Sequence, residues 1–346
     1  MDMKSCILSV AGPVLLEDEA ALFRDAQPWA VILMGRSCVS RPQVQKLVDD
    51  IWGALGRPCL IFIDQEGGRV ARLKAPEWPT FPPMSVYGDL YAKDEEYALE
   101  ACHLGHYLLG LELSALGIHA DCSPVVDLTI PGAHEIIGDR AFGGDPLIVG
   151  KLASAAIKGL SDAGVSSVIK HIPGHGRAEV DSHEALPVVT ASDEDLSADL
   201  RAFHTVRYAP MAMTAHILYP SFDPDQPVTI SETVISDVIR GRIGFDGLLM
   251  SDDLGMNALG GSLGSRAERA LDAGCDVVLH CSGFIKDPQT IIEEMSEVAA
   301  HSSPLTGKAL ERAIAAENAS CHQIDLDPAV ARHRYDLIVG SAGAAA

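Results

Sequence analysis

KHIPGHGRAEVDSH, Lys170–His183, follows directly on the apolar run Val165–Ile169. A short β-branched run that breaks into histidines, basic and acidic groups and two glycines has the pattern of a buried strand with a functional loop at its C-terminal end. GLLMSDD, Gly247–Asp253, repeats the layout: an apolar run closing on carboxylates. Two strand ends that both carry reactive groups suggest one active site assembled on the C-terminal face of a barrel.

Working outward, runs of the same kind recur at Cys6–Ala11, Ala30–Met34, Cys59–Ile63, Ile118–Cys122, Pro210–Thr214 and Cys275–His280, making eight with the two above. Helical patterns lie between them. Ser40 caps one that carries Pro42 in its first turn and Val44, Leu47, Val48, Ile51 and Leu55 on one face, with Gly56 as the stop. Asp145-Pro146 opens a second, which buries Val149, Leu152, Ala156 and Leu160 and closes at Gly164. A third surrounds Ala101, Leu104, Leu108, Leu111 and Ala115 and stops at Gly117; a short fourth spans Ser265–Gly274. Eight strands alternating with helices predict a (β/α)8 TIM barrel of the α/β class. A doubly wound open sheet is the alternative, but no Gly-x-Gly-x-x-Gly follows the first strand. Residues 1–346 read as a single domain, with a frayed Gly/Ala/Ser tail from about Gly340. The long connection Glu66–Pro83, with paired glycines and four prolines, has no helical period and reads as a functional loop.

The net charge of −22 argues against nucleic acid as a partner. The eight cysteines form no C-x-x-C pair and sit mostly in apolar runs, as reduced thiols of a cytoplasmic protein do. The apolar run Cys6–Leu16 contains Gly12 and Pro13 and is followed by Glu17, Asp18 and Glu19, so it reads as a strand and its loop rather than a signal peptide. No stretch is long and apolar enough for membrane insertion.

Read as strand ends, the runs deliver Asp64 and Glu66 with Arg69 and Arg72 beyond, then Asp121 and Asp127, Lys170 and His171, His216, and Asp252 with Asp253. Such a mixture of donors and acceptors suits a polyol. Asp252 and Asp253 are adjacent and point to opposite sides of an extended chain, so one faces the barrel mouth and the other caps a helix or ties down a loop. Asp181 and His183 are two apart, close enough for the carboxylate to orient the imidazole. His171, His175 and His183 with Asp64 or Asp252 are a conceivable metal set. Yet the H-x-x-x-H spacing needs a helix, which Pro173, Gly174 and Gly176 oppose, so neither metal nor other cofactor is expected.

KHIPGHGRAEVDSH, DQEGGRVARL (Asp64–Leu73), IIGDRAF (Ile136–Phe142) and GLLMSDDLGM (Gly247–Met256) together resemble family 3 glycoside hydrolases. More narrowly, they are similar to the single-domain bacterial β-N-acetylglucosaminidases of peptidoglycan recycling. The resemblance implies that Asp252 is the nucleophile, His183 the general acid/base and Asp181 its partner. It assigns Asp64, Arg72, Arg140, Lys170 and His171 to holding the N-acetylglucosamine ring. It further implies a retaining mechanism and muropeptide substrates ending in 1,6-anhydro-N-acetylmuramic acid. Gly255 and Ile172 depart from the serine and phenylalanine usual in the family. A phosphorylase on the same site, a non-catalytic sugar-binding barrel and a metal-dependent hydrolase are the competing expectations.

Overall fold

Each of the eight apolar runs is a strand in the computed structural model, which describes residues 3–180, 182, 185–283, 285–320 and 323–343. The strands are β1 (Lys4–Leu8), β2 (Pro28–Leu33), β3 (Ile61–Ile63), β4 (Ala120–Asp121), β5 (Ser166–Ile172), β6 (Met211–Thr214), β7 (Leu248–Asp253) and β8 (Val277–Leu279). They pair in parallel and in chain order, and β8 closes on β1. The expected (β/α)8 barrel is the observed fold. Two strands reach further than the apolar runs: β5 continues through Lys170 and His171, and β7 through both aspartates.

Alternation along the strands divides the core in two. Phe62, Ala120, Val168, Met211, Met213, Leu248, Met250, Val277 and Leu279 fill the barrel. Leu33, Ile61, Ile63, Ile169, Ala212, Leu249 and Val278 pack outward against the helices.

Those helices are α1 (Glu17–Ala26), α2 (Arg41–Leu55), α3 (Ser85–Tyr91), α4 (Glu95–Ser114), α5 (Pro146–Asp162), α6 (Asp193–Thr205), α7 (Leu263–Ala273), α8 (Pro288–Ala300), α9 (Gly307–Ala319) and α10 (Pro328–Gly343). A π-type helix over Val234–Ile243 lies between β6 and β7. Caps lie where the sequence places them. Ser40 and Gln43 form a capping box on α2, Asp145 accepts the Leu147 and Ile148 amides of α5, and Gly56 ends α2 in the left-handed region. The acidic cluster Glu17-Asp18-Glu19 is the first turn of α1, whose Glu19 carboxylate accepts the Ala11 and Leu16 amides at 2.7 and 2.8 Å. α10 extends to Gly343, past the start of the Gly/Ala/Ser tail, and Ile338 in it is buried. No described helix is long and apolar enough to cross a membrane.

Candidate active site

Strand parity builds the site. The alternation that puts Phe62, Val168 and Met250 inside the barrel puts Asp64, Lys170 and Asp252, two residues on, at its mouth. They line a cavity of about 280 Å³ together with Glu66, Arg69, Arg72, Arg140, His171, His175, Ser182 and Asp253.

The polar groups form one buried ionic chain. Arg72 Nη2 donates to Asp64 Oδ2 at 2.9 Å, and Lys170 Nζ to Asp64 Oδ1 at 3.0 Å. Lys170 also lies 2.7 Å from Glu66 Oε1. Arg140 grips Glu66 in a two-pronged contact, Nε to Oε2 and Nη2 to Oε1, both 2.8 Å. Burial alone would raise both acids, but the cations prevail. Lys170 and Arg72 hold Asp64 well below the ordinary carboxylate range, and Arg140 and Lys170 hold Glu66 at about 2. Asp64 is therefore an anion with fixed geometry, suited to accept hydrogen bonds from hydroxyls.

A second group fixes the histidines. Asp127 accepts His171 Nδ1 at 2.7 Å and the backbone amides of His171 and His175 at 3.0 and 2.7 Å. His171 thus presents a set ring orientation to the cavity. Burial, with His171 beside it, lowers His175 to about 4, so the ring is neutral near pH 7. Its Nε2 is 3.2 Å from Ser182 Oγ.

The two adjacent aspartates divide as parity requires. Asp253 Oδ1 accepts the amides of Gly255 and Cys281 at 3.0 and 2.9 Å, tying the loop after β7 to the one after β8. Asp252 Oδ1 accepts the Asp253 amide at 2.8 Å. The cavity therefore offers a carboxylate for nucleophilic attack beside a set of donors and acceptors for a polyol.

The structure brings together Asp252, Asp64, Arg72, Arg140, Lys170 and His171. Asp181 and His183 lie outside the described residues; Ser182 between them is buried and lines the cavity. Two strand-end candidates are elsewhere. His216 is fully buried, bonded to Thr229 and the Asp253 carbonyl. Asp121 has the opposite parity to Ala120 and Cys122, which fill the barrel, so its side chain faces the helix layer. Glu66 belongs to the ionic chain although the resemblance did not assign it. Its signal was the i, i+2 spacing from Asp64. Among the described residues no group of histidine, cysteine or carboxylate side chains is arranged to hold a metal.

Residues 8–315 match the N-terminal domain of glycosyl hydrolase family 3. The chain belongs to that family. A curated β-hexosaminidase from Bordetella avium is 38% identical over 281 residues, 80% of each chain. Among solved structures, NagZ from Neisseria gonorrhoeae in complex with N-trifluoroacetyl-D-glucosamine aligns over 98% of both chains, with a TM-score of 0.85 and 30% identity. The same NagZ in complex with zinc ion aligns over 98% of both chains at a TM-score of 0.82 and 29% identity. A family 3 β-N-acetylglucosaminidase from Paenibacillus sp. gives 0.83 and 28%, over 96% of this chain and 66% of the other.

Proposed function

We propose that this family 3 hydrolase removes terminal, non-reducing β-linked N-acetylglucosamine with retention of configuration. Asp252 attacks the anomeric carbon and the glycosidic bond breaks, leaving a glycosyl ester on its carboxylate. His183, oriented by Asp181, protonates the departing oxygen. It then takes a proton from the water that cleaves the ester. Asp64, Arg72 and Lys170 bind ring hydroxyls, with Arg140 and His171 completing the sugar-holding set.

The observation that carries this reading is the shared cavity: Asp252 stands at the same barrel mouth as the Asp64–Arg72–Lys170 ion cluster. Its small volume suits one sugar ring better than a chain. The NagZ neighbour's bound ligand, an N-acylated glucosamine analogue, supports the 2-acetamido preference. The sequence resemblance supports a cytoplasmic role in peptidoglycan recycling, with muropeptides ending in 1,6-anhydro-N-acetylmuramic acid as substrates.

Aryl β-glycosides differing only at the 2-position, assayed with and without phosphate, test the proposal. The N-acetylglucosaminide should be preferred over the glucoside, since each donor left unpaired costs about 1–3 kcal/mol. The product should be the free sugar in both buffers. Equal kcat/KM on the two glycosides would overturn the substrate, and a sugar 1-phosphate would make the chain a phosphorylase.

A further inference from the structure

Asp121 is fully buried one strand away from the catalytic cavity and does not line it. Its register partners are Ile63 on β3 and Ser167 on β5. Partners in a parallel sheet share a face, and Ile63 packs against the helices, so the three side chains lie together behind the barrel wall.

The carboxyl of Asp121 has one contact that matters for the site. Its Oδ1 accepts the Gln65 amide at 2.9 Å. Gln65 lies between Asp64 and Glu66, and its side chain clasps the loop beyond. Its Oε1 accepts the Arg72 and Leu73 amides at 2.8 and 3.0 Å, and its Nε2 donates to the Leu73 carbonyl at 3.1 Å. Arg72 in turn is the cation on Asp64. Asp121 therefore anchors, through one backbone amide, the segment that presents three members of the ionic chain.

The neighbouring buried acids show what Asp121 lacks. Asp64 and Glu66 each contact two cations, and Asp127 accepts three hydrogen bonds. Asp121 has the single amide, and its buried Oδ2 has no hydrogen-bond partner among the described residues. An unpaired buried anion is far more costly than an unpaired neutral hydroxyl. The charged groups around Asp121 do not compensate. Burial raises its pKa to about 8; the Gln65 amide and Lys170 on β5 pull it down, while Asp64 and Glu66 beyond β3 push it up.

We propose that Asp121 is a positioning residue that works as the neutral acid, and that its ionisation loosens the Asp64–Glu66 segment and lowers activity at alkaline pH. The ionised form adds a third negative charge near Asp64 and Glu66, which repels both, and leaves its own buried Oδ2 unpaired. The neutral form keeps the Gln65 amide in place without that repulsion.

The test compares wild type, Asp121→Asn and Asp121→Ala. The kinetic arm rests on the proposed glycosidase activity; the stability arm does not, so the two can fail separately. An acid with a raised folded pKa contributes stability that is present below its unfolded value of 3.8 and lost as pH rises through about 8. The unfolding midpoint of Asp121→Asn should therefore gain on wild type from pH 5 to 8 and then level off. A constant difference, or a gain by wild type, overturns the neutral acid. With an aryl N-acetylglucosaminide, the ratio of wild-type to Asp121→Asn kcat/KM, in which titrations common to both cancel, should fall as pH rises through about 8. Asp121→Ala should lose about tenfold near pH 7 because the Gln65 amide is left unpaired, with asparagine restoring it. A ratio that stays constant across pH, or an Asn variant as impaired as Ala near pH 7, overturns the positioning role.

Discussion

Lys170 Nζ lies 2.7 Å from Glu66 Oε1, with both side chains almost fully buried. The contact joins β5 to the loop after β3 and links two ion clusters, Asp64–Arg72 and Glu66–Arg140, into one chain. A buried ion pair adds little over an apolar replacement of both partners, but removing one partner strands the other. The cluster is thus best understood as a device that fixes donor and acceptor positions before a sugar arrives.

Glu66→Gln should weaken both the fold and the site. Arg140 and Lys170 would each lose an anionic partner, a change expected to cost about 3–5 kcal/mol where a buried pair is broken. Denaturant unfolding at pH 7 measures it. The difference from wild type should also depend on pH. Glu66 has a depressed folded pKa, so its contribution is present above its unfolded value of 4.5 and is lost as pH falls through about 2. The stability gap should therefore close on acidification across that window. A gap that is unchanged by acid would show that Glu66 acts through packing alone.

Asp253→Asn should lower stability with a smaller effect on chemistry than any change at Asp252. Its carboxylate accepts the Gly255 and Cys281 amides and binds two loops together. An amide oxygen can keep part of that bonding, so a loss of about 1–2 kcal/mol is expected. The measurement is the unfolding free energy beside single-turnover rates. Full stability with abolished turnover would exchange the roles of the two aspartates.

His183→Ala should harm substrates with poor leaving groups most, because those need the proton. An activated aryl glycoside should lose less in its first step, and azide should restore part of its turnover by replacing the base-assisted water. Asp181→Asn should give a weaker form of the same defect. Equal loss across leaving groups of graded pKa, without azide rescue, would place proton transfer elsewhere.

Activity should survive exhaustive dialysis against a strong chelator. The proposed proton transfer by His183 needs no Lewis acid, and among the described residues no group of histidine, cysteine or carboxylate side chains is arranged to hold a metal. Loss of activity restored by zinc would make this a metal-dependent hydrolase.

The barrel was legible because its strands are covered on both faces. Runs such as Ala30–Met34 and Cys59–Ile63 are apolar without interruption, and glycines or caps punctuate the helices between them. That Asp252 and Asp253 differ in direction was also readable from strand alternation; which of them serves as nucleophile came only from the family resemblance. Asp121 was misplaced for the converse reason. β4 is only two residues long, so its polar end gave no parity to count from until Ala120 and Cys122 were seen inside the barrel. Glu66 was visible at a strand end, but its partner Arg140 is 74 residues away and the pairing exists only in three dimensions. α1 and α6 begin with three acidic residues each, which mask their apolar faces in the sequence.

The most direct test of the mechanism is covalent capture. A 2-deoxy-2-fluoro or 5-fluoro glycoside with a good leaving group slows the second step and lets the glycosyl ester accumulate. Peptide mass spectrometry of the trapped protein should place one sugar on Asp252. A label on Asp253 or Asp64, or inactivation with no sugar attached to the protein, would contradict a retaining mechanism through Asp252.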